Sequence, residues 1–235
     1  MFIGIDVSKL STAMCIGDKL FSYSTEKPNN KWVKDTKDFI NFRYLEYKYK
    51  SIEDYSKREI SKFLEFEDVT DLIINDIMNN IKILDTTHIA IEGYSYSSDT
   101  GHIIDLVEFA SLLKHKILKQ IQGYSRVTII SPLALKSKSC ELVYPPKIEL
   151  IGKRVIKEKI TIVGPTGKLG KDFDKWDMFH CFLDSNISSQ LKDYLVFNKE
   201  IITVLKKLPK PFDDLIDSIF LKNVCNSLIF NEKAE

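Results

Sequence analysis

Between Thr87 and Ser131 the chain reads as a strand, a helix and a second strand, and no other stretch restricts the fold so tightly. The run THIAIE is short, apolar and rich in isoleucine, which is the composition of a buried strand ending at Glu92. From Ile103 to Ile121 apolar side chains recur at helical spacing through Ile104, Val107, Ala110, Leu113, Ile117 and Ile121. The segment RVTIIS follows as the next strand. Such a unit joins parallel neighbours through a right-handed crossover. The first 25 residues differ: FIGID, TAMCIG and LFSYST are consecutive short strands with a turn at Gly17-Asp18, which makes a meander. A meander followed by a crossover unit predicts an α/β fold with a mixed sheet, about five strands wide and flanked by helices.

The remaining segments are less regular. Residues 29 to 50 carry many aromatics with no clean period and read as an insertion, and a second insertion is expected near 140–160. The stretch Ile52 to Ile83 predicts one or two helices. Residues 132 to 172 are basic, contain Pro145-Pro146 and end in GPTGKLGK, a pattern of loops and short elements projecting from the sheet. Helical patterns return from Trp176 to Leu183 and from Asp213 to Phe230, the latter started by Pro211 and acidic first-turn residues. At 235 residues with 44% hydrophobic content, the whole chain is expected to form one domain carrying these insertions.

Composition narrows the class further. The four cysteines are far apart and form neither CxxC nor Cys/His clusters, so neither a disulfide framework nor a zinc site is expected. No apolar run approaches the roughly 20 residues of a membrane helix, and Met1 leads straight into an alternating apolar segment. A soluble intracellular protein without a membrane partner is the expectation. The net charge is only +1, yet residues 114 to 171 hold thirteen basic side chains against three acidic ones, a local surplus of ten. A locally basic surface of this kind can hold phosphates even when the whole molecule is near neutral.

The acids are more telling. Asp6 lies on an otherwise apolar strand, where burying an ionised side chain is costly without a partner or a metal. Glu92 has the same character at the end of HIAIE, and two central strands of a mixed sheet can set their acids side by side. Asp214 and Asp217 are spaced i, i+3 and share one face of the last helix. Each acid alone has an ordinary explanation, as a helix-start charge or the partner of a lysine. Gathered together, four carboxylates repel unless divalent cations neutralise them, and hard oxygen ligands favour magnesium or manganese. The chemistry expected is two-metal hydrolysis of a phosphodiester.

At these residues the chain resembles a known family. GIDVSKLSTAMCI looks like the opening of the RuvC-like nucleases of the RNase H-like superfamily, in their phage and large-virus form. IEGYSYSSDTGHIIDLVEFASLLKHKIL is similar to their fourth strand and following helix, ISPLALKSK to the next strand and its basic exit, GKLGK to a glycine- and lysine-bearing loop, and FDDLIDSIFL to the terminal helix that supplies two aspartates. The resemblance spans about a third of the chain and is most specific around Glu92. It implies an RNase H-like fold, a homodimer, branched DNA such as a Holliday junction as substrate, and two Mg2+ ions, replaceable by Mn2+, on Asp6, Glu92, Asp214 and Asp217. Asp213 competes with Asp214 for one ligand position, and Asp174 with Asp177 forms a second DxxD.

For DNA contact, Lys136 and Lys138 are expected to leave a strand end beside the site, while Lys168 and Lys171 sit on a glycine-rich turn. Tyr94 and Tyr96, just after Glu92, could stack on an unpaired base. The string GPTGKLGK has the wrong spacing for a P-loop, and Asp172 stands where Ser or Thr would follow the lysine, so an ATPase is set aside. Three rivals remain: a DEDD transposase, against which the eighteen residues after Asp217 leave no second domain; an RNA–DNA hybrid nuclease; and a non-catalytic junction-binding module.

Overall fold

The computed structural model describes residues 1–8, 11–25, 31–81, 86–94, 100–121, 125–151 and 157–232. Its centre is a sheet built from β1 (Phe2–Asp6), β2 (Ser11–Ile16), β3 (Lys19–Ser24), β4 (Ile40–Tyr44), β5 (Thr87–Glu92) and β6 (Ser125–Ile130). The order across it is β4-β3-β2-β1-β5-β6. The opening meander is antiparallel, with Ile5 opposite Met14 and Cys15 opposite Leu20. β5 lies parallel to both β1 and β6, as the crossover pattern requires, with Ile5 beside Ile91 and Glu92 beside Ile130. The molecule is therefore α/β with a mixed sheet, but the sheet has six strands, not five.

The sixth strand comes from the segment read as an insertion. After the short helix α1 (Lys31–Thr36), β4 adds parallel to β3 at the edge. Besides that pairing, a partly buried polar network invisible to periodicity supports it. Arg43 of β4 reaches Asp76 with Nη2–Oδ1 at 3.0 Å, and the Tyr23 hydroxyl donates to the same carboxylate at 2.9 Å. Asp76 belongs to α2 (Tyr55–Asn80), one continuous helix started by Asp54, whose side chain accepts from the Lys57 amide at 2.8 Å.

Strand alternation sorts side chains onto two faces. Ile3, Ile5, Met14, Ile89 and Ile91 pack under α2 and α3 (Thr100–Gln120), where Phe66, Ile73, Phe109 and Leu113 are fully buried. Two lysines tie these helices together: Lys62 reaches Asp105 and Glu108, and Lys116 reaches Asp71.

The opposite face, carrying Gly4, Ala13, Cys15 and Ala90, is covered by α8 (Phe212–Glu232), on which further helices pack. The further helices on this side are α4 (Pro132–Val143), α5 (Lys175–Asp184), α6 (Gln190–Phe197) and α7 (Lys199–Leu205). α8 crosses β1 at Gly4 so closely that a Cβ there would stand 2.5 Å from the Lys222 nitrogen and closer still to the Ser218 carbonyl oxygen. Only glycine permits that approach.

Residues 132 to 172 hold more structure than loops. Ser131 caps α4 by accepting from the Ala134 amide at 3.2 Å, Pro132 supplies its first turn, and Leu135 and Cys140 bury its inner side. Two strands, β7 (Lys147–Ile151) and β8 (Lys157–Thr161), then pair as a separate antiparallel hairpin within the second expected insertion. All four cysteines are buried free thiols. No described helix is long and apolar enough to cross a membrane.

Candidate active site

Asp6 ends β1 and Glu92 ends β5, and these two strands run in the same direction side by side. Their side chains share the parity of Gly4 and Ala90, so both emerge on the face covered by α8. The close crossing at Gly4 brings the first turns of α8 over this strand end. Asp214 and Asp217, one helical turn apart, face the two strand acids. The structure thus brings Asp6, Glu92, Asp214 and Asp217 within electrostatic reach of one another.

The electrostatics follow from that crowding. Asp6 is 6% exposed. Burial pushes its carboxyl well above the ordinary 3.8, and the charges of Glu92, Asp214 and Asp217 push it the same way. Asp217 is raised likewise, by burial first and then by Glu92 and Asp214. The carboxyl groups of Asp6 and Glu92 are hydrogen-bonded to each other, which ties the ionisation of one to that of the other. Glu92 is raised by burial and by Asp214, with Lys136 and Lys175 acting in the opposite sense.

Cations and a hydroxyl complete the surroundings. Ser11, at the start of β2, donates to Asp214 Oδ2 at 2.7 Å. Lys210 bridges Asp213, at 3.0 Å, and Asp214, while Lys175 at the start of α5 pairs with Asp213. Asp213 is buried, and its Oδ1 has no hydrogen-bond partner. Asp214 is pushed up by burial and by Asp213, against the pull of Lys210 and Ser11. Among the described residues no three carboxylate, thiol or imidazole groups converge as a ready-made cation cage. The chemistry of the donor set nonetheless fits a divalent cation: hard carboxylate oxygens, buried, mutually repelling, and biased toward protonation where no positive charge offsets them.

The proposed DNA contacts divide. Lys136 lies close enough to Glu92 to act on its charge, from helix α4 and not from a strand end. Lys138, on the same helix, pairs with Glu141 at 2.6 Å and lines a cavity with Val224 and Leu228 of α8. Lys168 is engaged by Asp177 at 2.7 Å and Asp174 at 2.8 Å. Lys171 is exposed on the short 3-10 turn Gly170–Asp172. Tyr94 packs against the α3 side of the core, with its hydroxyl 3.3 Å from Ser111 Oγ and Lys114 over its ring at 4.0 Å. Tyr96 lies outside the described residues.

The second DxxD has a separate occupation. Asp174 caps α5 by accepting from the Trp176 and Asp177 amides, and Asp177 accepts in return from the Asp174 amide at 3.0 Å, a complete capping box. Burial opposes ionisation of Asp174, but Lys168 and those amides outweigh it and lower the carboxyl to about 2. Sequence reasoning missed Ser11, Lys175 and Lys210. Lys210 stands three and four residues before the aspartate pair, a spacing that flags a helix-start partner, whereas Ser11 and Lys175 are brought in only by the fold. No family model matches the chain, and no curated protein shows significant similarity to it.

Proposed function

We propose that this chain is a magnesium-dependent endodeoxyribonuclease of the RuvC-like type within the RNase H-like superfamily, selective for four-way or otherwise branched DNA. The observation that carries the reading is the meeting of Asp6, Glu92, Asp214 and Asp217, separated by up to 211 positions in the chain, at the ends of two parallel strands and the first turns of α8. Two Mg2+ ions, or Mn2+ in their place, would be held by these four carboxylates and would supply an ionised water at neutral pH and charge stabilisation for the leaving oxygen.

The protein's own groups have distinct tasks. Asp6 and Glu92 present their carboxylates from the ends of two hydrogen-bonded neighbouring strands, so their spacing is set by the sheet and not by a loop. Ser11 fixes one oxygen of Asp214, which leaves the other to Lys210. Lys136 and Lys175 border the acids and would bind phosphates flanking the scissile bond, a contact that gives affinity without sequence choice. Water attacks the phosphorus, and the leaving 3′ oxygen takes up a proton from solvent.

Synthetic junction, fork, RNA–DNA hybrid and linear duplex, each incubated with and without magnesium, test the reading. Cleavage of the branched substrates, lost in Asp6→Asn, is expected. Equal inertness of both proteins toward every substrate, or cleavage confined to the hybrid, would defeat it.

A further inference from the structure

Both oxygens of Asp214 are already engaged. Ser11, at the start of β2, donates to Oδ2 at 2.7 Å, and the Lys210 ammonium donates to Oδ1. The same ammonium reaches Asp213 Oδ2 at 3.0 Å, so one lysine spans two buried carboxylates at the start of α8. Asp214 is nonetheless one of the four acids assigned to the divalent ions. An ion taken up on Oδ1 would meet an ammonium on the same atom, and two positive charges that close repel.

The two lysines at this end of the cluster are held differently. Lys175 pairs with Asp213, whereas Lys210 pairs with Asp213 and Asp214 together. Because Lys175 remains on Asp213, departure of Lys210 leaves no buried charge there without a partner. The way out is open as well. The Lys210 side chain is 53% exposed, and its flexible stem is rooted in the short connection between α7 and α8, outside both helices. Ser11 carries no charge, so its bond to Oδ2 can keep the Asp214 carboxylate oriented while Oδ1 changes partner.

We infer that Lys210 is the resident counter-ion of the metal-free cluster, and that a divalent ion enters by displacing its ammonium from Asp214. The inference rests on the reading that these carboxylates hold divalent ions, and it adds how the ion gets in. Loading is an exchange of one positive charge for two. Lys210 steadies the acids while the ion is absent, and the same contact sets the ion concentration at which the site fills.

Calorimetry with Mg2+ alone, without DNA, is expected to show Lys210→Met binding the ion roughly tenfold more tightly than the wild type, the equivalent of one charge-assisted contact. Lys210→Arg, which keeps the charge, should bind no more tightly than the wild type. Amine acylation of the wild-type chain, read by mass spectrometry, is independent of how any variant folds. Mg2+ should speed labelling of Lys210, and should leave Lys175, still held by Asp213, and Lys57, exposed on α2, at their metal-free rates. Equal or weaker Mg2+ binding by Lys210→Met, or labelling of Lys210 and Lys175 accelerated alike, overturns the inference and leaves the metal reading standing. Absence of Mg2+ uptake by wild type and Lys210→Met together overturns both.

Discussion

Gly4 and Ser218 are in direct backbone contact: the α-carbon of the strand residue lies beneath the helix carbonyl, with no room for a methyl group between them. Gly4 stands two positions before Asp6 and Ser218 one position after Asp217, so this contact sets the distance between the strand acids and the helix acids. Gly4→Ala is expected to destabilise the fold by about 3 kcal/mol or more, because backbone, unlike a side-chain tip, cannot step aside. Urea unfolding measures the loss. Magnesium affinity should fall in the same variant, while Gly17→Ala, which strains a turn of positive φ away from the acids without a clash, should cost stability but leave affinity unchanged.

Crowding of like charges makes the metal-free cluster a source of instability. Removing one charge by Asp6→Asn should therefore raise metal-free stability by about 1–3 kcal/mol, roughly 2–10 °C in Tm for a chain this size. The same substitution should abolish cleavage and weaken Mg2+ binding measured by calorimetry. A lower Tm in the variant would show that the acids do not repel as described.

The pH dependence has a definite sign. Asp6 and Asp217 bind protons more tightly in the folded chain than unfolded, so their protonated forms favour folding. Their stabilising contribution is full below the ordinary value of 3.8 and is lost as pH rises through the elevated folded values. The Tm advantage of Asp6→Asn over wild type should thus be small near pH 4 and grow toward neutral pH. Saturating magnesium should shrink that advantage. Paired thermal melts across pH, with and without the ion, give the comparison.

Lys175 and Lys210 converge on the buried carboxylate of Asp213. Either lysine can offset that charge in the absence of the other, so Lys175→Ala or Lys210→Ala alone is expected to cost only about 1 kcal/mol. The double variant should lose more than the two single losses combined, since Asp213 would then be buried without a counter-charge. Additive losses in denaturant unfolding would count against the shared role.

The capping box separates the two DxxD motifs by experiment. Asp174→Ala should cost about 1 kcal/mol through the lost α5 cap, without changing metal affinity. Asp214→Asn should do the reverse, lowering metal affinity with little loss of stability. Exchange of these outcomes would move the candidate centre to the start of α5.

Much of this architecture was legible in the residues. Alternation in FIGID and STAMCI, the isoleucine run before Glu92 and the helical repeat from Ile104 to Ile121 fixed the strands, the crossover and its parallel neighbours, because period and burial are properties of local sequence. An acid within an apolar strand, such as Asp6, also announces itself locally, through the cost of burying it. Less was legible where stability comes from a distant partner. β4 is held by Arg43 on Asp76, 33 residues away, and nothing in the aromatic run around it carries that pairing. The twelve-residue α4 exceeds the loops and short elements that its proline-led basic stretch predicts, because the Ser131 cap shows only once geometry closes it.

By itself, then, the sequence determined the opening meander, the crossover unit and the last helix, and which acids are costly to bury. Tertiary structure alone decided which distant groups meet: that Asp6 and Glu92 come under the start of α8, and that Ser11 and Lys175 join the acids. The physical reason is range. Periodicity and capping act over a few residues along the chain, whereas charge repulsion and close backbone packing act through space, and only the crossing of α8 over Gly4 converts one into the other.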